Sequence, residues 1–260
     1  MATYYVNSAA ANDNGAGTVG DPWKYVPGMA SANVGHTLSS ADIVEIVNGS
    51  VFTQQLTTTA ANVTYRGRGI GGTSIVVRTQ DATPAGSTYT EHTFVRTAAT
   101  HEGSWQIDLT GSAERTSGAD EYCLWVQHAD CTFEDFEIIG GDAAQVSGNA
   151  HNVYLEPDAT NTTFNRFLII GGPCTYTTDG GGTRTYGTGA SNGGRGIYCD
   201  AGGLTLFQGA VRYAASDCLT LRGRLTGGFV PDLTCHVSYC EFHEPNRGWD
   251  DAPLVNRAGD

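Results

Sequence analysis

The sequence predicts an all-β solenoid of stacked parallel strands, and three observations carry that prediction. A ten-residue pattern returns: residues 132–141 read TFEDFEIIGG and residues 163–172, 31 positions later, read TFNRFLIIGG. Phe133, Phe136, Ile138, Ile139, Gly140 and Gly141 thereby recur as Phe164, Phe167, Ile169, Ile170, Gly171 and Gly172. Each copy follows a shorter apolar run, Cys123-Leu124-Trp125-Val126 before the first and Asn152-Val153-Tyr154-Leu155 before the second. Glycine, at 35 of 260 residues, separates short β-branched runs without the Gly-X-Y period of collagen, which points to many strands and many tight corners.

Internal repetition of this kind is the signature of a repeat architecture, in which one unit cannot bury its apolar face alone and several must stack. Alternation fits these segments better than helical spacing. In the first copy Phe136 and Ile138 point inward while Glu137 and Ile139 point outward. Phe133 breaks that parity, so a bend is expected between Phe133 and Phe136. Two looser copies follow. Gly196-Ile197-Tyr198-Cys199 precedes Leu204-Thr205-Leu206-Phe207, and Cys218-Leu219-Thr220-Leu221 precedes residues 234–243, TCHVSYCEFH. The unit is strand, turn, strand and Gly corner.

The N-terminal third follows the plan less strictly. Ile43–Val47 reads as a strand ending at Asn48-Gly49, Asn62–Tyr65 leads to the corner Gly67-Arg68-Gly69, and Ser74–Arg78 is a further strand. Residues 81–121 are polar and less regular, and are expected to hold a long excursion. Residues 173–195 form a Gly/Thr loop between two units; loops of that length often carry function, and the competing reading is a flexible insertion without a role.

Charge narrows the partners. With 27 acidic against 14 basic residues the net charge is -13, and Lys24 is the single lysine. Nucleic acid is excluded as a partner, because phosphate neutralisation needs clustered Lys and Arg. An unaided anionic ligand is disfavoured too, although a bound cation reverses a local field; the plain alternative is a repelling, soluble surface. The seven cysteines are odd in number and lack CxxC spacing, so they suggest neither a disulfide framework nor a structural zinc site. Most sit in apolar strand patterns as small hydrophobes, which fits synthesis in a reducing cytosol. The N-terminus has no basic segment followed by an apolar one, so no signal peptide is read, and no apolar run is long enough to span a membrane. The sequons at Asn48, Asn62 and Asn161 are therefore read as chance.

The opening of the chain carries a resemblance. Thr3-Tyr4-Tyr5-Val6-Asn7, then Asn12-Asp13-Asn14-Gly15, then Asp21-Pro22-Trp23-Lys24, resembles the start of many pectate-lyase-like β-helix proteins, and Ala41–Gly49 resembles their first full rung. The resemblance implies a single-stranded right-handed parallel β-helix at 41–260 with an N-terminal cap over 1–40, interrupted by the insertions at 81–121 and 173–195. That family includes polysaccharide lyases, glycoside hydrolases, epimerases and bacteriophage tailspikes. The missing leader, together with this fold, implies a phage structural protein made in the host cytoplasm and placed in the virion as a tailspike, fibre or capsid decoration. The stretch Asn256–Asp260 resembles the middle of a rung, so a trimer partner, a virion neighbour or more protein is expected to cover it.

Candidate chemistry follows from the stacking. Hydrolysis of a glycosidic bond needs two carboxyl groups about 5 Å apart for retention or roughly 6.5–9.5 Å for inversion, and neighbouring strands about 4.8 Å apart can supply them. Asp200, Asp217, Glu241 and His243 are the candidate catalytic residues, with Asp250 and Asp251 close behind; the competing role of each Asp is to cap a turn through its own backbone. Lyases of the family often use Arg or Lys as base with calcium. Arg222, Arg224 and His243 are the nearest basic residues, but they make no recognisable lyase set; no cofactor is expected, and no metal site is read from the spacing, with calcium the cation that the resemblance implies for a lyase. No nucleophile elbow of the serine hydrolases is present. For binding without turnover, Tyr154, Tyr198 and Trp249, with Asp250 and Asp251, are the candidate saccharide contacts; Tyr154 and Tyr198 hold similar places in their units and would form a ladder, or else a purely structural aromatic stack. Three functions remain open: a virion surface protein contacting polysaccharide, a polysaccharide depolymerase, and a non-catalytic carbohydrate-binding protein.

Overall fold

A computed structural model of the chain describes residues 1–68, 105–109, 122–139, 151–170, 195–212, 218–222 and 234–243, with short strands at 76–78, 93–95, 176–178, 184–186, 224–225, 228–229 and 254–256. Every regular element in these residues is a β-strand, and none is a helix. Nine strands form one sheet: β1 (Thr3–Val6), β2 (Ile43–Val47), β3 (Val51–Phe52), β5 (Thr64–Arg68), β8 (Trp105–Asp108), β10 (Thr132–Ile139), β12 (Thr163–Ile170), β16 (Leu204–Arg212) and β20 (Cys235–His243). Six form a second: β4 (Leu56–Thr57), β9 (Tyr122–Val126), β11 (His151–Leu155), β15 (Arg195–Cys199), β17 (Leu219–Leu221) and β21 (Leu254–Asn256). The remaining strands pair antiparallel, β6 (Val76–Arg78) with β7 (Thr93–Val95), β13 (Tyr176–Thr178) with β14 (Arg184–Tyr186), and β18 (Arg224–Leu225) with β19 (Gly228–Phe229).

The chain alternates between the two large sheets. After Tyr122 the order β9, β10, β11, β12, β15, β16, β17, β20, β21 switches sheet at every step, and each return adds a parallel strand beside the previous one. The two Phe-rich copies stand in register as the sequence aligned them, Phe133 on Phe164, Phe136 on Phe167 and Ile138 on Ile169. Successive returns differ in length nonetheless: Phe133, Phe164, Leu206 and Val237 share one column, 31, 42 and 31 residues apart. The predicted excursion at 81–121 contributes β8, which lies beside Phe136–Ile139 and beside β3; its residues 110–121, and the other stretches not named above, lie outside the described residues.

The core is a set of stacked columns. Val44, Tyr65, Phe133, Phe164 and Leu206 form one, and Phe52, Ile107, Ile138, Ile169 and Val211 another, all buried. From the second sheet come Leu56, Leu124, Val153, Ile197 and Leu219. Burying such side chains contributes about 1.5–3 kcal/mol each, so a column shared by five circuits is a large stabilising term. A third column runs Trp105, Phe136, Phe167, Gly209, Cys240. Glycine is required at its fourth place: a Cβ on Gly209 would sit 2.3–2.5 Å from the ring of Phe167, which is itself buried.

The expected bend between Phe133 and Phe136 is made by Asp135, whose φ is +56°. Its counterparts in the next three strands, Arg166, Gln208 and Tyr239, also have positive φ, at 56°, 52° and 55°. A second left-handed column lies two residues before each strand's first paired Thr or Ile: Ala41, Asn62, Asp130, Asn161 and Gly203. The backbone N–H of each of the last four donates to a carbonyl of the following circuit at 2.8–3.0 Å, and Asn161 Nδ2 donates to Asp130 Oδ1 at 3.0 Å. Where the first bend is buried, its charge is matched. Asp135, 1% exposed, accepts two bonds from the Arg166 guanidinium at 2.6 and 2.8 Å.

At the N-terminus β1 pairs with β2, and its other edge bonds to Gly17 and Trp23. Trp23 stacks between Tyr4 and His36, with ring centroids 4.4 and 4.3 Å away. Asp13 ties this segment together by accepting the N–H groups of Lys24, Tyr25 and Asn33.

Two measurements test the packing. Gly209→Ala is expected to lower stability by about 1–3 kcal/mol in denaturant titration, because the Phe167 ring has no room to withdraw. The six described cysteines are free. Burial pushes Cys131 up to about 11 and Cys199 up to about 12 from the ordinary 9. Folding thus favours the protonated thiols: their contribution is whole below pH 9 and is lost as pH rises through 11–12. Iodoacetamide at pH 8 should leave Cys131 and Cys199 unmodified in the folded protein and label both in denaturant, as read by peptide mass; labelling of the native protein would contradict this packing.

Candidate functional site

The outer face of the six-stranded sheet collects the polar chemistry. Alternation along β9, β11, β15 and β17 sends Leu124, Val153, Ile197 and Leu219 into the core and turns Trp125, Tyr154, Tyr198 and Thr220 the other way, in one column. Two positions further on, where each strand ends, Gln127, Glu156, Asp200 and Arg222 form a second column. The ladder extends to them: the N–H groups of Glu156, Asp200 and Arg222 donate to the carbonyls of Val126, Leu155 and Cys199, each at 2.9 Å.

Side-chain hydrogen bonds link these residues within and between the columns. Tyr154 donates its hydroxyl to Asp200 Oδ2 at 3.2 Å, Gln127 Nε2 donates to Glu156 Oε1 at 3.2 Å, and Arg222 Nη1 donates to the Tyr198 hydroxyl at 2.5 Å. The rings of Tyr154 and Tyr198 stack, with centroids 5.6 Å apart and planes 26° from parallel. Tyr122 lies 4.7 Å from Tyr154, His151 lies 4.5 Å from Tyr198, and the Arg195 guanidinium stands 4.9 Å over the Tyr198 ring. Burial, and next the charge of Asp200, push the Tyr154 hydroxyl well above the ordinary tyrosine range, so at neutral pH it stays a donor. The Arg222 guanidinium is raised above its ordinary value chiefly by its bond to Tyr198.

Of the residues picked out from the sequence, Asp200, Tyr154 and Tyr198 meet here. Asp200 and Tyr198 are 6% and 7% exposed and Tyr154 is half-buried. The tyrosine ladder is built with ring faces turned toward each other, which leaves ring edges and hydroxyls as the polar contacts. Glu241 lies on β20 of the other sheet, paired with Ala210, and His243 ends that same strand. Asp217, Trp249, Asp250 and Asp251 lie outside the described residues. Glu156, Gln127 and Arg195 were not among the residues picked out from the sequence. The first two were legible: Glu156 follows Tyr154 at the same offset as Asp200 follows Tyr198, and Gln127 stands likewise to Trp125.

Chemically, the site is a row of groups that bind hydroxyls: two carboxylates, an amide, two phenols and two guanidinium ions, spaced by the strand repeat of about 4.8 Å. Among the described residues no group of three or more His, Cys, Asp or Glu could hold a metal ion, and no helix is long and apolar enough to cross a membrane.

No protein-family profile matches the chain, and no curated protein matches it in sequence. Among solved structures it is similar to the GH136 lacto-N-biosidase from Eubacterium ramulus. In the selenomethionine derivative the identity is 15%, the TM-score 0.49, and the match covers 94% of this chain and 41% of that one. Against the native protein the identity is 15% and the TM-score 0.34, over 98% and 36%. It is also similar to the tailspike protein gp49 of Acinetobacter baumannii bacteriophage Fri1, a capsular polysaccharide depolymerase, at 10% identity and TM-score 0.26, over 83% and 45%. The chain thus spans less than half the length of each of these proteins.

Proposed function

We propose that the chain is a stretch of single-stranded, right-handed parallel β-helix that binds polysaccharide along the outer face of its six-stranded sheet, as part of a homotrimeric bacteriophage surface protein. The hand follows from the strong preference of parallel crossover connections, about 98% of which are right-handed. The observation that carries the binding role is the pair of columns just described. A saccharide chain laid across the strand ends meets Gln127, Glu156 and Arg222, whose side chains reach the surface, while the buried Asp200 and Tyr198 back them from beneath. The resemblance of the opening residues to pectate-lyase-like β-helix proteins, a family that includes bacteriophage tailspikes, supports the virion setting. Partner copies would cover Val237 and Tyr239 of β20, which are 41% and 82% exposed.

Depolymerisation is the second reading, favoured by one observation. Glu156 and Asp200 hold equivalent places on adjacent strands, the arrangement from which a general acid and a nucleophile or base for glycoside hydrolysis can be drawn.

A glycan panel separates the two. Binding is expected, and Tyr198→Ala should weaken it about tenfold, the scale of a truncated anchor residue; binding that survives this change unaltered removes the platform. Release of new reducing ends, lost in both Asp200→Asn and Glu156→Gln, selects the depolymerase; none from any bound glycan selects binding alone. Sedimentation equilibrium is expected to return three chain masses, and a stable monomer would rule out the trimer.

A further inference from the structure

We propose that Arg222 makes this face selective for saccharides that carry a carboxylate group. The inference rests on the polysaccharide-binding reading above and adds the chemical class of the ligand.

Charge singles out this residue. In a chain of net charge -13, two guanidinium groups converge on one tyrosine, Arg195 over the ring of Tyr198 and Arg222 at its hydroxyl. Arg195 is 6% exposed and is held over the Tyr198 ring. Arg222 stands at the surface. Its side chain hydrogen-bonds the Tyr198 hydroxyl and feels the charge of Asp200, but makes no ion pair among the described residues.

Geometry suits the same ligand. A guanidinium offers five N–H donors in a planar fork that matches a carboxylate in two parallel bonds. Here one Nη1 donor is spent on Tyr198, which fixes the plane of the fork at the edge of the face and leaves its remaining donors for a ligand. Ordering the side chain in advance lowers the entropy cost of closing on an anion. A flexible ammonium would have neither the plane nor the paired donors.

Polarity changes along the stack. Reading across the strands, the column runs Gln127, Glu156, Asp200, Arg222, from neutral through negative to positive. A carboxylate set against Glu156 or Asp200 is repelled, and one set against Arg222 is attracted, so the row admits an acidic saccharide in one direction only. Its hydroxyls meet Glu156, and its own carboxylate meets Arg222 just past the end of β17.

Matched ligands test this. Oligosaccharides ending in glucuronate or N-acetylneuraminate, each beside its methyl ester, are titrated against the whole protein by calorimetry. The acid is expected to bind at least tenfold tighter than the ester, with a ratio that falls as salt rises. Arg222→Gln should bring the ratio close to one, and Arg222→Lys should restore part of it; thermal melting confirms that both variants are folded. Equal affinity for acid and ester in the native protein overturns the inference while leaving polysaccharide binding intact. A ratio unchanged in Arg222→Gln overturns it too, since the selectivity then lies elsewhere. If no glycan of any kind binds the folded protein, the binding reading itself fails, and this inference with it.

Discussion

The described fold depends on bends at two registers that recur from strand to strand of the nine-stranded sheet. All eight described non-glycine residues of positive φ fall on one of two columns, Ala41, Asn62, Asp130 and Asn161 before the strand, and Asp135, Arg166, Gln208 and Tyr239 within it. A left-handed L-residue costs roughly 1–2 kcal/mol, least for Asn and Asp, and the surroundings must hold it there. The holding force is visible. Backbone N–H groups of the first column reach the next circuit, and at the buried end of the second column Arg166 clasps Asp135 with a two-pronged ion pair. With the corners fixed, side chains of equal position are obliged to stack, and the apolar columns follow.

This explains why so much of the fold could be read in advance. Phe133 and Phe136 are three apart and both point inward, which no straight strand allows; the parity break located the bend, and the 31-residue recurrence located its neighbour. What stayed hidden was short or local. Trp105–Asp108 is only four residues long in a polar stretch, and nothing in its own composition says that it stands beside Phe136–Ile139. The left-handed residues were hidden for another reason: Arg166, Gln208 and Tyr239 are not turn formers, and they take that conformation because the circuit before them does.

The candidate site was half legible for the same cause. Tyr154, Tyr198 and Asp200 stood out as repeating or strand-ending residues. Glu156 did not, because a carboxylate followed by proline reads as an ordinary turn, and its meaning appears only when the position is compared with Asp200 one circuit away. In a stacked architecture the informative unit is the column across circuits, and a residue read along the chain alone loses most of its neighbours.

The unequal returns, 31, 42 and 31 residues for one and the same column, have a consequence for how such a protein can change. Strand registry is indifferent to the length of chain spent between strands, because the corners and the columns, not the connectors, decide where each strand lands. Connectors can therefore be exchanged, lengthened or grafted from one level to another without disturbing the rack that carries them. A sheet edge bordered by such connectors can change its surface by local replacement, while the buried stack beneath it remains the inherited part.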